Sequence, residues 1–290
     1  MANDTNPPSN RTDRRGSRWA PVLMILAYMA FWQVAPRVRD ERFLTVIAST
    51  IVSLVLVVYV SASAARSLRR VTAMAAVGLA SASVIVPLRV MLASGRLPAP
   101  WHWVVAVPGL AELTFILFGV SVGAALSLIL RSANMIPPVA GVLALVDIWT
   151  VLLGGPVQRA MESAAPSAQR LTEAMTVRLP APTSGAAPMA VVGFADFVFI
   201  AFFVAAMCRF EGDAVGYGGT VRPLAVVLAA YMVVVLLTGW PLPALVPMAA
   251  VVLTVHWRRF RYSRSEALAL VYAGALVVLL LGGVIWLARR

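Results

Sequence analysis

The chain has 290 residues, 61% of them hydrophobic and only 12% charged, with a mean hydropathy of +0.87. That composition excludes a water-soluble globular domain, and continuous apolar runs exclude a membrane β-barrel, whose strands alternate over about ten residues. The net charge of +12 is carried entirely by arginine in short clusters between apolar runs, which points to topology signals and lipid headgroups rather than nucleic acid.

Residues 1–18 are polar, rich in Asn, Pro and Arg, and read as a disordered tail. The apolar run after Arg18 lacks the small-residue site that closes a cleaved signal peptide. Nine apolar stretches follow, at about 19–35, 43–65, 71–93, 104–130, 135–154, 188–208, 221–239, 241–257 and 266–287. Each approaches the ~20 residues that cross the hydrocarbon as a helix. The expected fold is therefore all-α, a polytopic transmembrane bundle of about nine helices.

Pro108 falls early in the fourth stretch and marks an interfacial or broken start. Gly239-Trp240-Pro241 separates the seventh and eighth stretches and forces a tight reversal. The one long connection, 155–187, carries four prolines, and its segment AMTVRL (174–179) is compatible with an extended strand. Four units result: the tail 1–18, helices over 19–130, a core over 131–257 with loop 155–187, and a basic loop with a final helix over 258–290. Arginine-rich connections at 66–70, 131, 209–222 and 258–264 fall on the side of the N-terminal tail, which predicts a cytoplasmic N-terminus in a plasma membrane.

Three of the twelve acids lie within apolar stretches: Glu112, Asp147 and Asp196. An Asp at mid-helix costs about 2.5–3.5 kcal/mol on insertion scales, so such residues are functional candidates. Asp147 lies eight residues before Gly155, and Asp196 eight after Pro188. On antiparallel neighbours at 1.5 Å per residue, both sit roughly 12 Å below the same face. Two carboxylates that meet there share one proton, and the pair then acts as base toward water and acid toward a carbonyl. The same spacing also suits two acids that merely tie helices together, or a proton or cation path.

Three stretches narrow these readings: ALVDIWTVLLGGPVQRAMESA (144–164), VVGFADFVFIAFF (191–203) and WPLPALVPMA (240–249). Together they resemble the presenilin and signal peptide peptidase family of intramembrane aspartyl proteases. That family has one acid after a Tyr, a second in Gly-x-Gly-Asp, and a Pro-Ala-Leu motif further on. The resemblance covers about 135–250. It implies a presenilin-like fold, Asp147 and Asp196 as the catalytic dyad, and Gly193, Pro243, Ala244 and Leu245 at the substrate site. Gly193 would permit a close backbone approach. It implies transmembrane or signal-peptide segments as substrates and no cofactor. Val146 stands where the family carries Tyr, and Ala195 where it carries the second Gly, a methyl expected to narrow the approach of the two helices. A catalytically degenerate helix-binding homologue and a proton-coupled transporter remain as alternative readings.

The remaining features take structural readings. Glu112 is expected to pair with Arg89 on the preceding helix. His102 and His256, beside Trp101, Trp103 and Trp257, read as interfacial belt residues, with no metal site. Cys208, the single cysteine, excludes an intrachain disulfide. Gly119 and Gly123 read as a helix packing face, and HWRRFRYSR (256–264) as a basic anchor at the membrane surface. The 174–179 strand is expected to pair with an unwound substrate.

Overall fold

The computed structural model describes residues 11–38, 43–94, 101–153, 173–180, 191–240 and 242–288. Its helices are α1 (Arg11–Val34), α2 (Phe43–Ser67), α3 (Val71–Ser94), the short α4 (His102–Ala106), α5 (Leu110–Ser127), α6 (Ile136–Leu152), α7 (Phe194–Glu211), α8 (Asp213–Thr238), α9 (Leu245–Val255) and α10 (Arg264–Ala288). Six helices among the described residues are long and apolar enough to cross a membrane. The architecture is thus an all-α polytopic membrane bundle, with one hairpin of β1 (Thr176–Arg178) and β2 (Val191–Gly193).

The element boundaries correct several expectations. Residues 11–18 form the first turns of α1 instead of a disordered tail, and residues 1–10 lie outside the described residues. The fourth apolar stretch, by contrast, is broken at Pro108 as expected: Val107 is extended, leaving α4 and α5 as separate helices. The sixth stretch does not begin at Pro188. Val191–Gly193 is a strand, and the helix starts only at Phe194. Loop 155–187 lies outside the described residues except for 173–180.

Helix α7 is the axis of the bundle. It is apolar all round, and Phe197, Ala201, Val204, Ala206 and Met207 have no exposed surface. It packs against α5, α8 and α2. The α5 contact is close because Gly123 faces the α7 backbone. A Cβ there would collide with the carbonyl of Val198, and one at Gly119 would press Phe194 and Phe197 at 3.2 Å. The Gly119–Gly123 pair is therefore a packing face, as expected. Helix α6 stands apart from this core and rests mainly on α9 and α10.

One end of the bundle gathers the basic connections. Arg66 and Arg69 at the end of α2 pair with Asp213 at the start of α8. Arg209 donates to the carbonyl of Leu130, and Asn134 binds the backbone of Arg261. At the opposite end α8 stops at Gly239, whose φ of +68° lets its amide reach the Val235 carbonyl at 2.8 Å. There the chain turns back toward α9, on the side where the hairpin lies.

Candidate active site

Asp196 occupies the first turn of α7, and its Oδ2 accepts the Gly193 N–H at 3.1 Å. An acid in this place complements the unpaired amides and positive end of the helix. Asp147 lies five residues before the end of α6 and reaches a different helix. Its Oδ2 accepts the N–H of Leu245 at 2.8 Å, at the first position of α9. The Pro-Ala-Leu sequence therefore delivers a free helix-terminal amide to the first acid. Each carboxylate holds one backbone N–H, and its other oxygen has no hydrogen bond to the described residues.

The two carboxylates lie within range of each other's charge, and the Tyr231 phenol of α8 lies within range of both. The Tyr231 hydroxyl donates to the Leu242 carbonyl just before the Pro-Ala-Leu sequence. A cavity of about 500 Å³ opens on the Asp196 side, lined by Thr176, Gly193, Asp196, Tyr231, Leu242 and Ala244, with Asp147 outside its lining. Pro243 is buried beside it, outside the helix.

The two acids lie at the same end of the bundle and within range of each other's charge, as expected, but their distances from the helix ends differ. Asp147 is five residues from its helix end and Asp196 two from its own, because the strand takes the residues assumed to be helical. Within the chain itself nothing packs closely on Gly193. Its φ of −73° suits any residue, and an added Cβ would meet only Asp196 Oδ2 at an ordinary 3.6 Å. What it contributes is its N–H. Ala195 is exposed, so its methyl is not wedged between the helices.

The hairpin explains why that N–H is available. Phe194 N–H donates to Met175 at 2.9 Å, and the register pairs Val177 with Val192. Antiparallel pairs alternate, so Val177 and Val192 bond each other while Thr176 and Gly193 turn their backbone groups outward. Outward on β1, the Thr176 carbonyl meets Arg89. Outward on β2, the Gly193 N–H meets Asp196. Of the strand expected at 174–179 only Thr176–Arg178 forms; its paired edge belongs to the chain's own β2, and its other edge is held by arginine.

Arg89 corrects a further expectation. Its guanidinium donates to the carbonyls of Glu173 at 2.7 Å and Thr176 at 3.2 Å instead of forming an ion pair with Glu112. Glu112 stays within range of its charge. The same group lies 4.7 Å from the Phe115 ring centre, and Phe115 packs on Phe194 at 5.1 Å. One α3 side chain therefore fixes the strand and touches the aromatic cluster at the start of α7.

His256 is not a belt residue. It is 4% exposed, with Nε2 3.0 Å from Thr220 Oγ1 and Nδ1 2.9 Å from Glu211 Oε2. This network lies at the basic end and ties α7, α8 and the end of α9 together. Tyr231, the strand-holding role of Arg89 and the Glu211–His256–Thr220 network were missed in the sequence. For Tyr231 a signal existed, a lone phenol in a run of Val, Ala and Leu. His102 remains exposed, beside the exposed Trp103. The chain matches no family model, no curated protein and no solved structure.

Proposed function

We propose that the protein is an intramembrane aspartyl protease that hydrolyses peptide bonds in transmembrane segments. One observation carries the reading: the Leu245 amide of the Pro-Ala-Leu sequence holds Asp147, while Ala244, Asp196 and the hairpin line one cavity. With one proton shared by the pair, one carboxylate takes a proton from water as its oxygen attacks the scissile carbonyl carbon. The other gives its proton to the carbonyl oxygen. Collapse of the tetrahedral adduct breaks the C–N bond, and the amine leaves with a proton returned from the dyad. No cofactor takes part.

A helical substrate hides its amides and has to unwind first. The outward edge of β2, at the exposed Val191, is the place where an unwound strand adds beside Asp196. Arginine placement supports a plasma-membrane orientation with a cytoplasmic N-terminus, which would turn the dyad toward the outer face.

The test is purified protein in liposomes with single-span peptides, read for cleavage and for proton flux together. Cleavage lost in Asp147→Ala and Asp196→Ala supports the proposal. Flux that needs both acids, without cleavage, assigns them to transport. Peptide binding that survives in both variants, without cleavage or flux, assigns the chain to helix binding alone.

A further inference from the structure

The strongest unexplained feature is the loop from Trp257 to Arg264 at the end opposite the dyad. Two devices hold it in one shape. Asn134 clamps its backbone, donating from Nδ2 to the Arg261 carbonyl at 2.5 Å and accepting the Arg261 N–H on Oδ1 at 3.1 Å. The Tyr262 hydroxyl then donates to the Asn134 carbonyl at 2.6 Å. At the loop's root, buried His256 and Arg259 both engage Glu211.

The loop exposes Arg258, Arg261 and Arg264, with Arg131 exposed three residues before the Asn134 clamp. None of these four forms an ion pair with a carboxylate among the described residues. The nearby acids are engaged elsewhere. Glu211 serves His256 and Arg259, and Glu266 accepts the Ser263 N–H at 2.8 Å in a capping box with Ser263 Oγ. Trp257, 64% exposed, lies beside Arg258, whose guanidinium is 5.7 Å from its ring centre. An exposed indole next to unneutralised arginines is the pairing that settles at the headgroup layer of a bilayer.

We propose that Arg131 and the 257–264 loop form a preorganised site for the phosphate headgroup of an anionic phospholipid. Guanidinium groups bind phosphate oxygens in forked pairs, and the Asn134 clamp fixes in advance the backbone that carries Arg261. The site is independent of the dyad and of the proposed protease reaction.

Native mass spectrometry of the detergent-purified full chain, titrated with phosphatidylglycerol and phosphatidylcholine, tests it. Wild type is expected to retain phosphatidylglycerol preferentially. Loss of two near-surface charges in Arg258→Gln/Arg261→Gln lowers that retention roughly 30-fold. Asn134→Ala keeps every charge, and its preference falls about as far. Arg37→Gln, an exposed arginine outside the basic end, changes nothing. Equal retention of both lipids by wild type overturns the proposal. So does full preference in Asn134→Ala, which reduces the loop to bulk charge, or displacement of the lipid by equimolar glycerol phosphate or an oligonucleotide.

Discussion

The backbone N–H of Leu245 and the carboxylate of Asp147 meet at 2.8 Å across 98 residues of sequence. That bond separates two roles of Asp147. Asp147→Asn keeps an oxygen for the amide and loses the ionisable group, whereas Asp147→Ala loses both. Both variants are expected to lack cleavage. Thermal unfolding in detergent should leave Asn near wild type and cost Ala about 1–3 kcal/mol, the loss that follows when a buried donor is left unpaired.

The β2 edge gives a second prediction. Val191 presents its backbone outward, and Val192 bonds to β1. Val191→Pro removes an outward N–H and leaves the hairpin intact. It should lower kcat/KM for single-span peptides by tenfold or more with unchanged stability. Val192→Pro breaks a ladder bond and should unfold the hairpin as well, visible as lost amide protection over 175–178.

Arg89 is expected to act as a positioning residue. Arg89→Gln removes charge-assisted bonds to two carbonyls, worth about 1.5–3 kcal/mol each. Amide exchange over 175–178 and 191–194 should then rise at least tenfold, with exchange in the middle of α7 unchanged. Exchange that is unaltered in the hairpin would remove Arg89 from this role.

Helix contact at Gly123 supplies a stability prediction. Gly123→Ala forces the α5 and α7 backbones apart and should cost about 1–3 kcal/mol, with reduced cleavage. Gly141, on α6, has no atom within 4 Å of an added Cβ. Gly141→Ala should be neutral or stabilise by up to about 1 kcal/mol. Thermal unfolding of the two variants side by side gives the comparison.

Much of the bundle is legible in the sequence, because apolar runs of helix length leave few other folds in a membrane. The acids at 147 and 196 are legible for the same reason, as charges are conspicuous in such runs. The start of α7 is not. Val191-Val192-Gly193 continues an apolar run, and only pairing with residues 176–178 decides that it is a strand. Partners distant in sequence hide the rest. His256 beside Trp257 reads as a belt residue until Glu211, 45 residues away, is folded against it. Arg89 seeks an acid in any local reading, yet it binds carbonyls 84 and 87 residues further on.

The account stands most directly on cleavage of a single-span peptide by purified protein in lipid, with products identified by mass spectrometry. Wild type should yield two fragments that differ from the parent by one water, and Asp147→Ala and Asp196→Ala should each abolish them. Fragments that persist in either folded variant would contradict the Asp147–Asp196 dyad.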